Sequence, residues 1–124
     1  MHQYQKELNE DLDPVRLYDA LMMRDDDIDA AILELEALIK QGSSFAMVAL
    51  GNIYLYGSYG TLPYEQKGEA LLLQATDMGS IEGGYRLACY YDYRERHAEA
   101  FELYSDLSDR GFSPANYRLG WAYH

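Results

Sequence analysis

Apolar residues recur along this chain three and four positions apart, the spacing of one face of a helix, and no stretch alternates as a strand would. Asp13-Pro14 reads as an N-cap followed by proline at the first helical position, and Leu17, Ala20 and Leu21 continue the stripe towards Met23 or Arg24. The run Arg24-Asp25-Asp26-Asp27 breaks it. Ile28, Ala31, Ile32, Leu35, Leu38 and Ile39 then mark an amphipathic helix that ends at Gly42, with acids at its start and Lys40 in its last turn to suit the helix dipole. Ser43 or Ser44 caps a helix that is apolar almost all round from Ala46 to Leu55, which predicts a buried, central element. Gly57-Ser58-Tyr59-Gly60 makes the next turn and Pro63 restarts the chain. Further helices are expected over Glu65 to Met78, Ser80 or Ile81 to Tyr93, Ala98 to Arg110, and from Ser113-Pro114 to His124. Residues 1 to 11, polar apart from Tyr4 and Leu8, are expected to be an extra helical turn or a frayed end of low order.

The stripes repeat. Ala46, Leu50, Gly51 and Tyr54 recur 37 residues on as Gly83, Leu87, Ala88 and Tyr91, and 32 further on as Ala115, Leu119, Gly120 and Tyr123; Gly42, Gly79 and Gly111 keep the same steps. A period in the thirties points to stacked helix pairs, in units of about 13–42, 43–79 and 80–111 with a half unit at 112–124, all in one domain. Gly51 sits inside a helix at a propensity cost of about 1 kcal/mol against alanine, so close approach of a neighbouring helix is expected there.

The set Ala46, Leu50, Gly51, Tyr54, Gly57, Gly60, Lys67, Ala75 and Gly79 resembles the Sel-one-like repeat (SLR), a branch of the tetratricopeptide class. Gly68 stands where that pattern has alanine, Leu71 and Leu72 replace its aromatic pair, and Thr76 replaces a late alanine. In the next unit Ala100 and Tyr104 keep the second half of the pattern, Glu99 replaces its lysine, and the loop Arg94-Glu95-Arg96-His97 has no glycine. The resemblance implies an all-α fold, an α/α solenoid of antiparallel helix pairs in a right-handed superhelix, that binds proteins and is not an enzyme. It also implies that the first helix of each pair lines a concave groove. Carried onto this sequence, the groove positions are Val48, Asn52, Leu55 and Tyr56, then Tyr85, Cys89, Asp92 and Tyr93, then Tyr117, Trp121 and His124. Of these, Asn52, Tyr56, Tyr85, Cys89, Asp92, Tyr93, Tyr117 and Trp121 are the expected partner-binding residues, because tyrosine and tryptophan bury large areas at small entropic cost.

Composition adds the character of the partner. The net charge is −11, of which residues 1–36 carry −8, and such a field repels phosphate backbones and anionic membranes while suiting a basic protein. The sequence has no run of about 18 apolar residues and no signal-like start. Its single cysteine, Cys89, forms no internal disulfide, which fits a reduced cytoplasmic compartment. Among thirteen tyrosines, Tyr54, Tyr91, Tyr104 and Tyr123 hold repeat positions and are expected in the core.

No catalytic or metal constellation emerges. Asp25, Asp27, Asp29 and Glu36 have the spacing of a calcium loop, but the position that needs glycine holds Ala30 and lies in a helical run, so the acids read as caps. Cys89 and His97 lie eight apart with Ala88 and Tyr90 beside the thiol, a packing environment rather than a basic one. His97-Ala98-Glu99 lacks the paired cysteines of a zinc deaminase, and the glycines lack the lysine of a phosphate loop. The expected function is a non-enzymatic interaction module without cofactor, of the bacterial immunity or effector-regulating kind. The alternative is a scaffold or assembly factor of an envelope or signalling complex that binds a peptide in its groove. The last helix is expected either to cap the stack by itself or to be covered by further residues or by a second copy, the last giving a homo-oligomer through the half unit.

Overall fold

The computed structural model describes residues 3–111, and over them the chain forms seven α-helices and no strand: α1 Gln3–Glu10, α2 Pro14–Met22, α3 Ile28–Lys40, α4 Ser44–Tyr56, α5 Glu65–Asp77, α6 Ile81–Tyr93 and α7 His97–Asp109. The expected half unit 112–124, with Tyr117 and Trp121, lies outside the described residues. No described helix is long and apolar enough to cross a membrane.

Caps set the boundaries. Asp13 accepts a hydrogen bond from the Arg16 amide at 3.1 Å, with Pro14 at the first helical position, and Asp27 accepts from the Ala30 amide at 3.1 Å to start α3. Gly42 and Gly79 close α3 and α5 at φ +97° and +96°, where glycine alone is unstrained. At each corner the next residue's amide reaches back to the carbonyl five residues earlier, Ser43 to Leu38 at 3.1 Å and Ser80 to Ala75 at 3.0 Å. Each of those serines also caps the following helix, through the Ala46 amide at 3.1 Å and the Gly83 amide at 2.9 Å. One Gly-Ser dipeptide therefore ends one helix and begins the next, twice. The corner after α6 has the same bonds, Arg96 to Tyr91 at 2.8 Å, but its left-handed residue is Glu95 at φ +61°.

Consecutive helices pack on one another, and α4 also meets α6. Leu55 faces Gly68 and Gly51 faces Leu72, so α4 and α5 run antiparallel; Gly84 against Leu107 and Cys89 against Tyr104 set the same sense for α6 and α7. The buried apolar side chains form two clusters, and α4 belongs to both. Phe45, Ala46, Ala49, Leu50 and Ile53 face Leu17, Leu21, Leu35 and Leu38 on one side, while Met47, Val48 and Leu55 face Leu72, Leu87 and Tyr91 on the other. This is why α4 is apolar all round. The close approach expected at Gly51 is present: a methyl group there would lie 3.0 Å from Leu72 Cγ and 3.1 Å from the Gly68 carbonyl.

At the amino-terminal end the helical alternative holds over the frayed one, although α1 runs for eight residues and is docked on the body rather than being of low order. Leu8 is buried among the residues of the first cluster. Glu7 accepts from the Ser80 hydroxyl at 2.5 Å and from the Glu82 amide at 2.7 Å, and Asp11 accepts from the Phe45 amide at 3.2 Å. These two carboxylates occupy the starts of α6 and α4, where the helix dipole favours negative charge.

Candidate functional site

Tyr56 ends α4, and its ring meets Tyr93 at the end of α6 edge-on, with centroids 5.6 Å apart. Behind them opens a cleft of about 300 Å³ whose lining includes Asn52, Tyr56 and Cys89. Three of the expected site residues thus line one cavity, and Tyr93 joins them through Tyr56. Asn52 and Cys89 are half-buried, whereas Tyr56 and Tyr93 are 42% and 67% exposed, as interface rings must be. Burial and the nearby Cys89 thiol raise the Tyr56 hydroxyl above its ordinary pKa, so it remains a neutral donor and acceptor at physiological pH. Cys89 is packed rather than poised, its sulfur accepting from the Tyr104 hydroxyl at 3.4 Å.

The other expected residues fall elsewhere. Tyr85 is half-buried between Tyr104, at 6.4 Å, and the Arg86 guanidinium, at 5.8 Å. Asp92 pairs with His97 Nδ1 at 3.1 Å at the α6–α7 corner, outside the cleft lining. Val48 and Leu55, assigned to the groove by the resemblance, are core residues instead: Val48 lies where a methyl on Gly83 would touch it, and Leu55 packs over Gly68. The tyrosines also divide differently. Tyr91 and Tyr104 are buried as expected, but Tyr54 is half-buried under the Lys67 ammonium at 5.0 Å, and Tyr90, outside the expected core set, is buried.

The sequence reading missed the charged part of the cleft. Arg24, from the α2–α3 turn, and Arg86, from α6, line it together with Ser58 and Tyr59 of the 3₁₀ turn Ser58–Gly60. Arg24 lies over the Tyr59 ring at 5.0 Å and donates from Nε to the Leu21 carbonyl at 2.9 Å. Tyr59 has φ +59°, a left-handed conformation costly for any residue with a side chain, and such outliers cluster where structure serves a site. Burial pulls the Arg86 guanidinium down, and the Glu82 carboxylate, 2.7 Å from its Nε, more than offsets this.

Two further depressions are lined by residues that already serve the fold as ion pairs and caps. Between α5 and α6 a cleft of about 340 Å³ is lined by Glu65, Glu69 and Arg96, with Glu69 on Arg96 at 3.3 Å and Glu65 on Arg94 at 3.6 Å. The one beside α1, about 330 Å³, holds the Glu7 and Asp11 carboxylates already described. Among the described residues no three His, Cys, Asp or Glu side chains gather as metal ligands do. Compared with protein-family models and with curated proteins, the sequence matches none.

Proposed function

We propose that this chain is a Sel-one-like repeat protein, a right-handed α/α solenoid whose concave face binds another protein without catalysis. The observation that carries this reading is the juxtaposition of equivalent positions 37 residues apart: Asn52 and Cys89 line one cleft, and the Tyr56 ring at that cleft meets Tyr93. The paired Gly-Ser corners support the repeat itself, since the same hydrogen bonds close both units. Two exposed rings edge to edge beside a polar cavity are the chemistry of an anchor site for a partner's side chains.

The biological setting we assign is a cytoplasmic bacterial immunity or effector-regulating protein, because the −11 charge draws a basic partner at a distance and repels nucleic acid and anionic membrane. The small volume of the cleft favours, as second reading, a scaffold or assembly factor that takes an extended peptide one side chain at a time.

The products of neighbouring genes are the candidates to assay by calorimetry. Tyr56→Ala should weaken the partner by about thirtyfold or more, the usual cost of truncating a central aromatic anchor, and lower the melting temperature by only a few degrees, because the ring also packs edge-on against Tyr90 and Tyr93 at 6.0 and 5.6 Å. Unchanged affinity with a sharply lowered melting point would assign the ring to the fold and refute the site.

A further inference from the structure

We infer that the cleft is a receptor for one carboxylate side chain of the partner, held by Arg24 with Arg86 beside it and walled by Tyr56 and Tyr59; the inference rests on the protein-binding reading and names what the site accepts.

Charge pairing points there first. The sequence has 21 acidic side chains against 10 Lys and Arg, so a guanidinium in this protein finds a carboxylate easily. Five arginines among the described residues do: Arg16 with Glu34, Arg86 with Glu82, Arg94 with Glu65, Arg96 with Glu69 and Glu99, and Arg110 with Asp106. Of the arginines among the described residues, Arg24 alone has no carboxylate within 4 Å, although Asp25, Asp26 and Asp27 follow it directly. Its position is nevertheless fixed, by the Leu21 carbonyl at Nε and by the Tyr59 ring beneath the guanidinium. A fixed fork that no internal acid uses is preorganised for an external one, and a carboxylate matches it with two parallel hydrogen bonds.

The cavity agrees. Its lining residues include two arginines, Asn52, Ser58 and two tyrosines beside the apolar Ala49 and Ile53, and none is acidic. Its volume of about 300 Å³ stands at the bottom of the range of small-molecule sites, about 300–1,000 Å³, and suits a side chain better than a cofactor. Screening confines electrostatic attraction to about 8–10 Å at ordinary salt, so Arg24 acts on a carboxylate once that group has entered the cleft.

Random peptides displayed on phage, selected on the intact 124-residue chain, test the assignment. Selected peptides should carry Asp or Glu at one fixed position. Replacing that Glu by Gln, or Arg24→Gln in the protein, should each lower affinity about tenfold or more, and the two together should cost little beyond either alone. Arg24→Gln should melt where the wild type does; Arg24→Lys, which keeps the charge and loses the fork, should bind with intermediate affinity if charge and geometry both contribute. Binders without a fixed acidic position, or additive losses in the cycle, overturn the carboxylate assignment and leave the protein-binding reading standing. A library that yields no binder overturns both.

Discussion

Replacing Gly68 by alanine opposes two effects whose magnitudes the structure separates. In a helix interior alanine is favoured over glycine by about 1 kcal/mol, so on propensity alone Gly68→Ala stabilises α5. The packing says otherwise. A methyl group on Gly68 would lie 2.7 Å from the Gly51 carbonyl, 2.8 Å from Leu55 Cγ and 2.9 Å from the Leu55 amide, and two of these three atoms are backbone of α4. The helices must move apart by about 0.7 Å before the shortest contact reaches the ordinary 3.4 Å, and α4 resists because it is buried on both sides. A gap of 0.5–1 Å forfeits a quarter to a half of each dispersion contact along the seam, and overpacking of this kind costs about 1–3 kcal/mol, occasionally more. With two backbone clashes the upper end applies, and after the propensity gain a net loss of about 2 kcal/mol remains. At this chain length that is a fall of about 6–10 °C in melting temperature. Gly84→Ala is the internal control: it lies within α6, the nearest atom to its added methyl is Leu107 Cδ2 at an ordinary 3.4 Å, and it should stabilise by about 0.5–1 kcal/mol. Urea melts of both variants decide the matter. Gly68→Ala as stable as Gly84→Ala would mean that α4 and α5 do not cross at the glycine pair.

Other outcomes follow from the same packing. Leu50→Ala and Leu87→Ala, at equivalent positions 1% and 0% exposed, should each lose about 2–5 kcal/mol in denaturant unfolding, and a loss below half a unit at both would refute the helix register. Glu95→Gly should gain about 0.5–1 kcal/mol by relieving the left-handed conformation after α6; a loss would mean that the Glu95 side chain stabilises the corner. Burial raises the pKa of Tyr56, Tyr90 and Tyr91, so the folded state holds these protons more tightly than the unfolded one. Stability should be fully present below the ordinary tyrosine value of about 10 and decline as pH rises above it. Phenolate absorbance should report the delayed ionisation, and a flat stability profile above pH about 10 would count against their burial.

How much of this was legible in the sequence depends on which physical cause set each feature. The helix starts at Asp13 and Asp27 and the Gly-Ser corners are local chemistry, written within four or five residues, and they stand where the pattern put them. Gly51 signalled a close crossing through its propensity cost alone. Gly68 was read as a departure from a family pattern, yet it is the other half of the same contact, because only a missing Cβ admits the Gly51 carbonyl. That partnership is tertiary and has no local signature. The length and docking of α1 were missed for the same reason: its polar sequence has little apolar periodicity, and what fixes it is one buried leucine and carboxylates bonded to residues 34 to 75 positions away.

The site divides along the same line. Asn52, Tyr56, Cys89 and Tyr93 were named from their 37-residue spacing, and in the fold Asn52, Tyr56 and Cys89 line one cleft while the Tyr56 ring meets Tyr93. Tyr85 and Asp92 share that register but sit a fraction of a turn away, and contacts with Arg86 and His97 claim them. Arg24 comes from the turn between α2 and α3, and Ser58 and Tyr59 from the turn after α4, whose path follows from the left-handed residues Gly57, Tyr59 and Gly60; none of the three belongs to the periodic pattern of the helices. In sequence Arg24 reads as the edge of an acidic break. Only the fold shows that the turn carries it away from Asp25, Asp26 and Asp27 and lays it on Tyr59. Helices α4 and α6 therefore supply most of the walls and Arg86, the turns supply Arg24, Ser58 and Tyr59, and substitutions in a turn alter the lining of the cleft while the buried core stays fixed.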